Sequence, residues 1–167
     1  MYSTTARQTY AESDLSVSIS AEHLRYDEDG PGKETRYCDR KEADFVVLLP
    51  TEIVVIEVKR DAWFEGMMED DDGSVSDRKI CELANTILDT LSGLLVVQLS
   101  SKHRPFEQQK RTIKALILIN CSLAPDSWSL IDDKVRRGLR RKFKNLPDLR
   151  FAVEHAGGEL PGWLSVS

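Results

Sequence analysis

Two acidic residues and a lysine stand where charge is costly. Asp44 opens the run Ala43-Asp44-Phe45-Val46-Val47-Leu48-Leu49, and Glu57 and Lys59 close the run Ile53-Val54-Val55-Ile56-Glu57-Val58-Lys59. Both runs are rich in Val, Ile and Leu and too short for helices, so they read as strands buried on both faces. An ionised side chain in such a strand is strongly unfavourable unless it is paired or bound to a metal. Two carboxylates forced together repel, and a divalent cation relieves that repulsion. Oxygen ligands with water positions left open suit Mg²⁺ or Mn²⁺. A lysine beside them would sit by metal-bound water or by an anion undergoing reaction.

The geometry of the hairpin decides whether the three side chains meet. Glu57 and Lys59 are two apart on one strand, so they project from the same face. Asp44 depends on register. A three-residue loop over residues 50–52 would pair Leu49 with Ile53 and set Asp44 opposite Val58, away from Glu57. A shared site needs an even loop or a bulge, placing Asp44 opposite Glu57 or Lys59.

The rest of the chain supplies elements to hold that hairpin. Residues 15–21 alternate Leu15, Val17, Ile19 and Ala21 with Ser16, Ser18 and Ser20, the period of a half-buried strand. From Ser76 the period becomes helical: Ile80, Leu83, Ala84, Ile87, Leu88, Leu91 and Leu95 form one apolar stripe, running to about Leu99 or breaking near Gly93. Ala115 to Asn120 reads as a buried strand. Ser127 to Asn145 reads as a second helix with Trp128, Ile131, Val135, Leu139 and Phe143 inward, ended by Pro147. Leu149 to Val153 is a last short strand. Acidic stretches at residues 27–32 and 69–73 read as loops, as do residues 101–112. Trp63 and Phe64 read as packing residues. The expectation is an α/β fold, a central mixed sheet flanked by helices, in a single domain over residues 15–167. Residues 1–14 are expected to be flexible or a short helix.

Charge is unevenly spread. The 167 residues carry a net charge of −5, yet residues 101–150 hold 13 Lys and Arg against 5 Asp and Glu. A basic face on an acidic protein can still meet phosphates. Arg137, Arg140, Arg141 and Lys144 share a face of the second helix by their three- and four-residue spacing and are the candidate nucleic-acid contacts. Lys102-His103-Arg104 is a weaker one. His23, His103 and His155 are scattered, and none is assigned a catalytic role. Gly-x-Ser-x-Gly and P-loop motifs are absent. Cys81 and Cys121 sit in apolar patterns and read as buried thiols; no C-x-x-C pair exists with them or Cys38 to build a zinc site. No apolar run reaches the length of a membrane span and no signal peptide is evident, so an intracellular, cytoplasmic protein is expected, or a nuclear one in a eukaryote.

Asp44, twelve intervening residues and then Glu57-Val58-Lys59 resemble the PD-(D/E)xK nuclease superfamily. The helix after the motif and the strand after that helix resemble the family's common core, covering residues 15–120. Ala43 stands where many members have proline, and no downstream Gln-x-x-x-Tyr element is seen. The resemblance implies a restriction-endonuclease-like fold and Mg²⁺- or Mn²⁺-dependent hydrolysis of phosphodiester bonds, in DNA before RNA. It implies that Asp44 and Glu57 bind the metal together with the Val58 backbone carbonyl. Lys59 would position or activate the attacking water. Many members add an upstream glutamate; Glu12 and Glu22 are the candidates, and Glu22 is the expected further ligand. A homodimer or a protein partner fits the same picture. The alternative is a catalytically inactive module of the same fold that binds nucleic acid or a protein partner in a defence, repair or mobile-element assembly.

Overall fold

The computed structural model describes residues 7–12, 14–25, 41–64, 66–67, 73–97, 112–120, 125–155 and 157–167. Both acidic loops apart from Gly73, along with Cys38, Cys121 and Lys102-His103-Arg104, lie outside those residues. The central sheet has five strands: β3 (Glu22–Arg25), β4 (Phe45–Leu48), β5 (Glu52–Arg60), β6 (Thr112–Asn120) and β7 (Arg150–His155), in that spatial order. Strands β3, β4 and β5 are antiparallel, whereas β5, β6 and β7 run parallel. Parallel neighbours need long crossovers, and helices supply them. The short α1 (Asp61–Phe64) and the long α2 (Ser74–Val97) lie between β5 and β6, and α3 (Pro125–Lys142) lies between β6 and β7. The chain is therefore α/β with a mixed sheet.

A second, three-stranded sheet is formed by β1 (Gln8–Glu12), β2 (Leu15–Ile19) and β8 (Leu164–Val166). The two faces of the central sheet have different partners. Leu15, Val17, Ile19 and Leu164 of the small sheet pack on Phe45, Val47, Val54, Ile56, Val58, Leu116 and Leu118. On the opposite face Ala115, Ile117, Ile119 and Val153 meet Ile80, Leu83 and Ile87 of α2 and Ile131, Val135 and Leu139 of α3. Both helices thus cover one face, as their stripes require. Burying each of these aliphatic side chains contributes roughly 1.5–3 kcal/mol. α2 and α3 touch at Gly138, where an added Cβ would come within 2.3 Å of Ile80 Cδ1. Glycine is what lets the helices approach there.

Three details correct or complete the reading of periodicity. Residues 8–12 are a strand, not a helix. They form β1, paired with β2 from Gln8 against Ile19 to Glu12 against Leu15, around a tight turn in which Asp14 takes φ 63°. Asp tolerates that left-handed conformation better than most residues. α2 passes through Gly93 without breaking. Leu88 is 41% exposed and Leu94 is buried instead, because Leu91 and Leu94 turn toward Val46, Leu48 and Val55 of the antiparallel half of the sheet. Among the described residues no helix is long and apolar enough to cross a membrane.

Candidate active site

Register is settled by a two-residue loop. Leu48 pairs with Ile53 and Phe45 with Ile56, and the Leu49 N–H donates to the Glu52 carbonyl at 2.9 Å. Only Pro50 and Thr51 lie between that last pair. The loop is even, so continuing the ladder sets Asp44 opposite Glu57. β4 itself ends at Phe45. Beyond it the Asp44 carboxylate takes the place of a strand carbonyl, with the Val58 N–H donating to Oδ2 at 2.6 Å. In an extended strand a residue's N–H and C=O leave toward the same neighbour, so the Val58 carbonyl also faces the side on which Asp44 lies.

The residue before Asp44 is pinned from the helical layer. The Ala43 N–H donates to Thr90 Oγ1 at 2.8 Å, and that hydroxyl donates to the Thr86 carbonyl at 2.9 Å. Thr90 is fully buried. A hydroxyl in the middle of an apolar helix face thus does what a neighbouring strand no longer does at this point.

Glu57 is 5% exposed. Its Oε1 accepts from Lys59 Nζ in an ion pair, whereas Oε2 is buried without a hydrogen-bond partner among the described residues. Lys59 is held between carboxylate and ring, with Nζ 5.8 Å from the centroid of Trp63. Lys79 approaches the same ring at 5.9 Å and donates to the Trp63 carbonyl. Trp63 is therefore a half-buried wall for two ammonium groups, while Phe64 is core.

Burial governs the electrostatics. It is the largest influence pushing the Asp44 carboxyl up to about 8; the charge of Glu57 adds to it, as does that of Glu12. The Val58 N–H and Lys59 pull the other way without prevailing. Glu57 is also raised, first by burial, against the favourable pull of Lys59. Two carboxyls forced together in a dry place resist ionisation, and whatever brings positive charge to them is favoured.

Glu12, at the end of β1, is close enough for its charge to raise both carboxyls. Its Oε2 is held 3.0 Å from Arg25 Nη2 on β3. Arg25 in turn lies 5.7 Å from the Tyr10 ring centroid. Glu22, the expected further ligand, is misplaced for that task. It pairs with Leu48, whereas Arg25 pairs with Phe45 next to Asp44. Three register steps and more separate Glu22 from Asp44, roughly 13 Å along the strands. The signal for Glu12 was its position three residues before a clear strand, across a turn-forming Ser13-Asp14.

Asp44, Glu57, Val58 and Lys59 are thus brought together at one end of β5, with Glu12 beside them. Among the described residues no three His, Cys, Asp or Glu side chains are gathered closely enough to hold a metal ion. Glu12 is turned to Arg25 and Glu57 to Lys59. The candidate nucleic-acid residues differ in their surroundings. Arg137 is paired with Asp133 and Arg141 with Asp77, while Arg140 and Lys144 line a cavity near the start of β7. That is the opposite end of the sheet from Lys59, since Arg150 pairs with Lys114 while Lys59 pairs with Ile119. No family model matches the chain, and no curated protein or solved structure matches it.

Proposed function

We propose that this chain is a metal-dependent nuclease with a restriction-endonuclease-like fold, hydrolysing phosphodiester bonds in nucleic acid, DNA before RNA. The observation that carries the reading is that Asp44, one residue before β4, falls opposite Glu57 of β5 when the ladder is continued, with Glu57 Oε2 lacking a partner among the described residues. A structural ion pair would leave no such orphan, because an unmet buried acceptor costs about 1–3 kcal/mol. By chemistry the donor set suits a hard divalent cation: two carboxylates and the Val58 carbonyl, all oxygen. Glu12 can join by releasing Arg25. Bound there, Mg²⁺ or Mn²⁺ would polarise the phosphoryl oxygens and lower the pKa of water.

The chain's own residues do the rest. The Val58 N–H holds the Asp44 carboxylate, and the Thr90 hydroxyl holds the backbone just before it. Lys59 shares a face with Glu57 and is 22% exposed, so its ammonium can turn from Glu57 to negative charge developing on a phosphate. The hydrophobic strands on either side exclude water, which strengthens each of these interactions.

Purified protein is incubated with plasmid DNA and Mg²⁺ and compared with Glu57→Ala. The expected loss is on the order of 100-fold or more in rate. Undiminished Mg²⁺-dependent cleavage by Glu57→Ala would sink the reading. The Lys59–Glu57 ion pair favours a second reading, a catalytically inactive module of the same fold that binds nucleic acid or a protein partner. Titration calorimetry separates the two. The nuclease binds Mg²⁺ and releases protons as Asp44 ionises, whereas the inactive module shows no heat of metal binding.

A further inference from the structure

The end of α3 and the start of β7 line an open groove of about 500 Å³. Arg136 and Arg140 reach it from the helix, Lys144 from the turn just after the helix and Arg150 from the strand. Phe143 and Phe151, with ring centroids 5.4 Å apart, form an apolar wall. The four cations are not equivalent. Arg136 is spent on the fold: Nε donates to Asp132 at 2.5 Å, Nη1 to the Phe151 carbonyl at 3.2 Å and Nη2 to the Val153 carbonyl at 3.4 Å. It ties α3 to β7 and fixes the floor of the groove. Arg140, Lys144 and Arg150 have no acidic partner among the described residues and are exposed. Their neighbours on the same helix, Arg137 and Arg141, each have one.

Like charges that converge on a concave, partly apolar surface repel one another, and the low-dielectric wall focuses their field outward. An anion with several negative groups removes that penalty. We propose that this groove is a phosphate-binding subsite for a nucleic-acid backbone, engaged by Arg140, Lys144 and Arg150 and separate from the Asp44–Glu57–Lys59 end of the sheet. The two places are compatible with one bound nucleic acid. Five register steps and two strands separate Arg150 from Lys59, roughly 20 Å at ordinary strand spacings. A duplex repeats every ~34–36 Å, so about half a turn reaches from one to the other. The subsite would anchor the substrate without touching the reacting phosphate.

The test compares two double variants of the full chain that lose the same net charge. Binding of a fluorescein-labelled duplex of about two helical turns is followed by anisotropy in EDTA over a range of salt concentrations. Each phosphate contact adds ~0.9 to the slope of log affinity against log salt. Arg140→Gln/Arg150→Gln is expected to weaken binding and lower the slope by about 2. Arg137→Gln/Arg141→Gln, which removes charges that already have acidic partners, is expected to leave the slope unchanged. Equal effects from the two variants would reduce the groove to net charge and overturn the proposal, as would no effect from the first. Displacement of the duplex by inorganic phosphate at matched phosphate concentration would overturn it in favour of a small-anion site. The proposal takes only its probe from the nuclease reading. Binding in EDTA needs neither metal nor cleavage, so either can fail while the other stands.

Discussion

The two charged ends of the sheet carry opposite charges under opposite physical conditions. At the end of β5, Asp44 and Glu57 are buried, and the Asp44 carboxyl is pushed up to about 8. Near the start of β7, Arg140, Lys144 and Arg150 are exposed around an open groove, where water screens them and side chains remain free to move. A charge in the first region is coupled to the stability of the fold, because its desolvation is felt in every folded molecule. In the second region it is nearly neutral for folding and matters when an anion arrives. The lesson is that the acidic end should respond to pH and mutation as a structural element, and the basic end should respond to salt as a surface.

Asp44→Asn is expected to break the contrast most strongly. The folded pKa of Asp44 lies above its unfolded value, so the stability it contributes is present at low pH. That stability is lost as pH rises through about 8. The parent protein without metal should therefore lose stability between pH 4 and pH 8, by on the order of a few kcal/mol. The variant should lose much less and should be the more stable of the two at the upper end. Urea unfolding across that window checks it, and parallel profiles for the two proteins would mean that Asp44 is not the group responsible. Thr90→Val comes next. It keeps the volume but leaves the buried Ala43 N–H without its acceptor, at a cost of about 1–3 kcal/mol. Thr90→Ser should recover most of that loss, which a purely packing role for the threonine would not allow. The smallest effect belongs to Arg141→Ala. Its ion pair with Asp77 is exposed on both sides, so thermal unfolding should register a change within about 0.5 kcal/mol.

Much of the central sheet could be read from residue order because its strands are buried on both faces. Continuous runs such as Phe45–Leu48 and Ala115–Ile119 have few other uses in a chain of this composition. The helices were readable for the related reason that each has a single apolar stripe. The small sheet was harder. β1 alternates partly buried with exposed positions, and β8 has three residues. Neither has enough apolar content to stand out, although β2 between them did. Leu88 was misjudged because α2 packs on two halves of a twisting sheet, and the inward stripe shifts from Ile87 to Leu91 and Leu94 as it crosses.

The candidate site divides in the same way. That Glu57 and Lys59 share a face follows from the two-residue period of a strand, and no tertiary information is needed for it. That Asp44 joins them depended on one hydrogen-bonded pair, Leu49 with Glu52, which makes the hairpin loop even. A sequence cannot decide that, because loops of two and three residues over Pro50-Thr51 are both sterically open. Glu12 was a candidate by its place before a strand, but only the packing of one sheet on another brings its charge near Asp44, 32 positions away. The basic helix was visible as composition, yet only packing sorted its cations. Asp133 and Asp77 neutralise two of them, and the start of β7 brings Arg150 to complete a groove with the others. Local periodicity determines which side chains leave a strand or helix together, since it depends on backbone geometry alone. Which of those side chains meet, and which charges are left unopposed, is decided by register and layer packing, where distant segments share one dry interior.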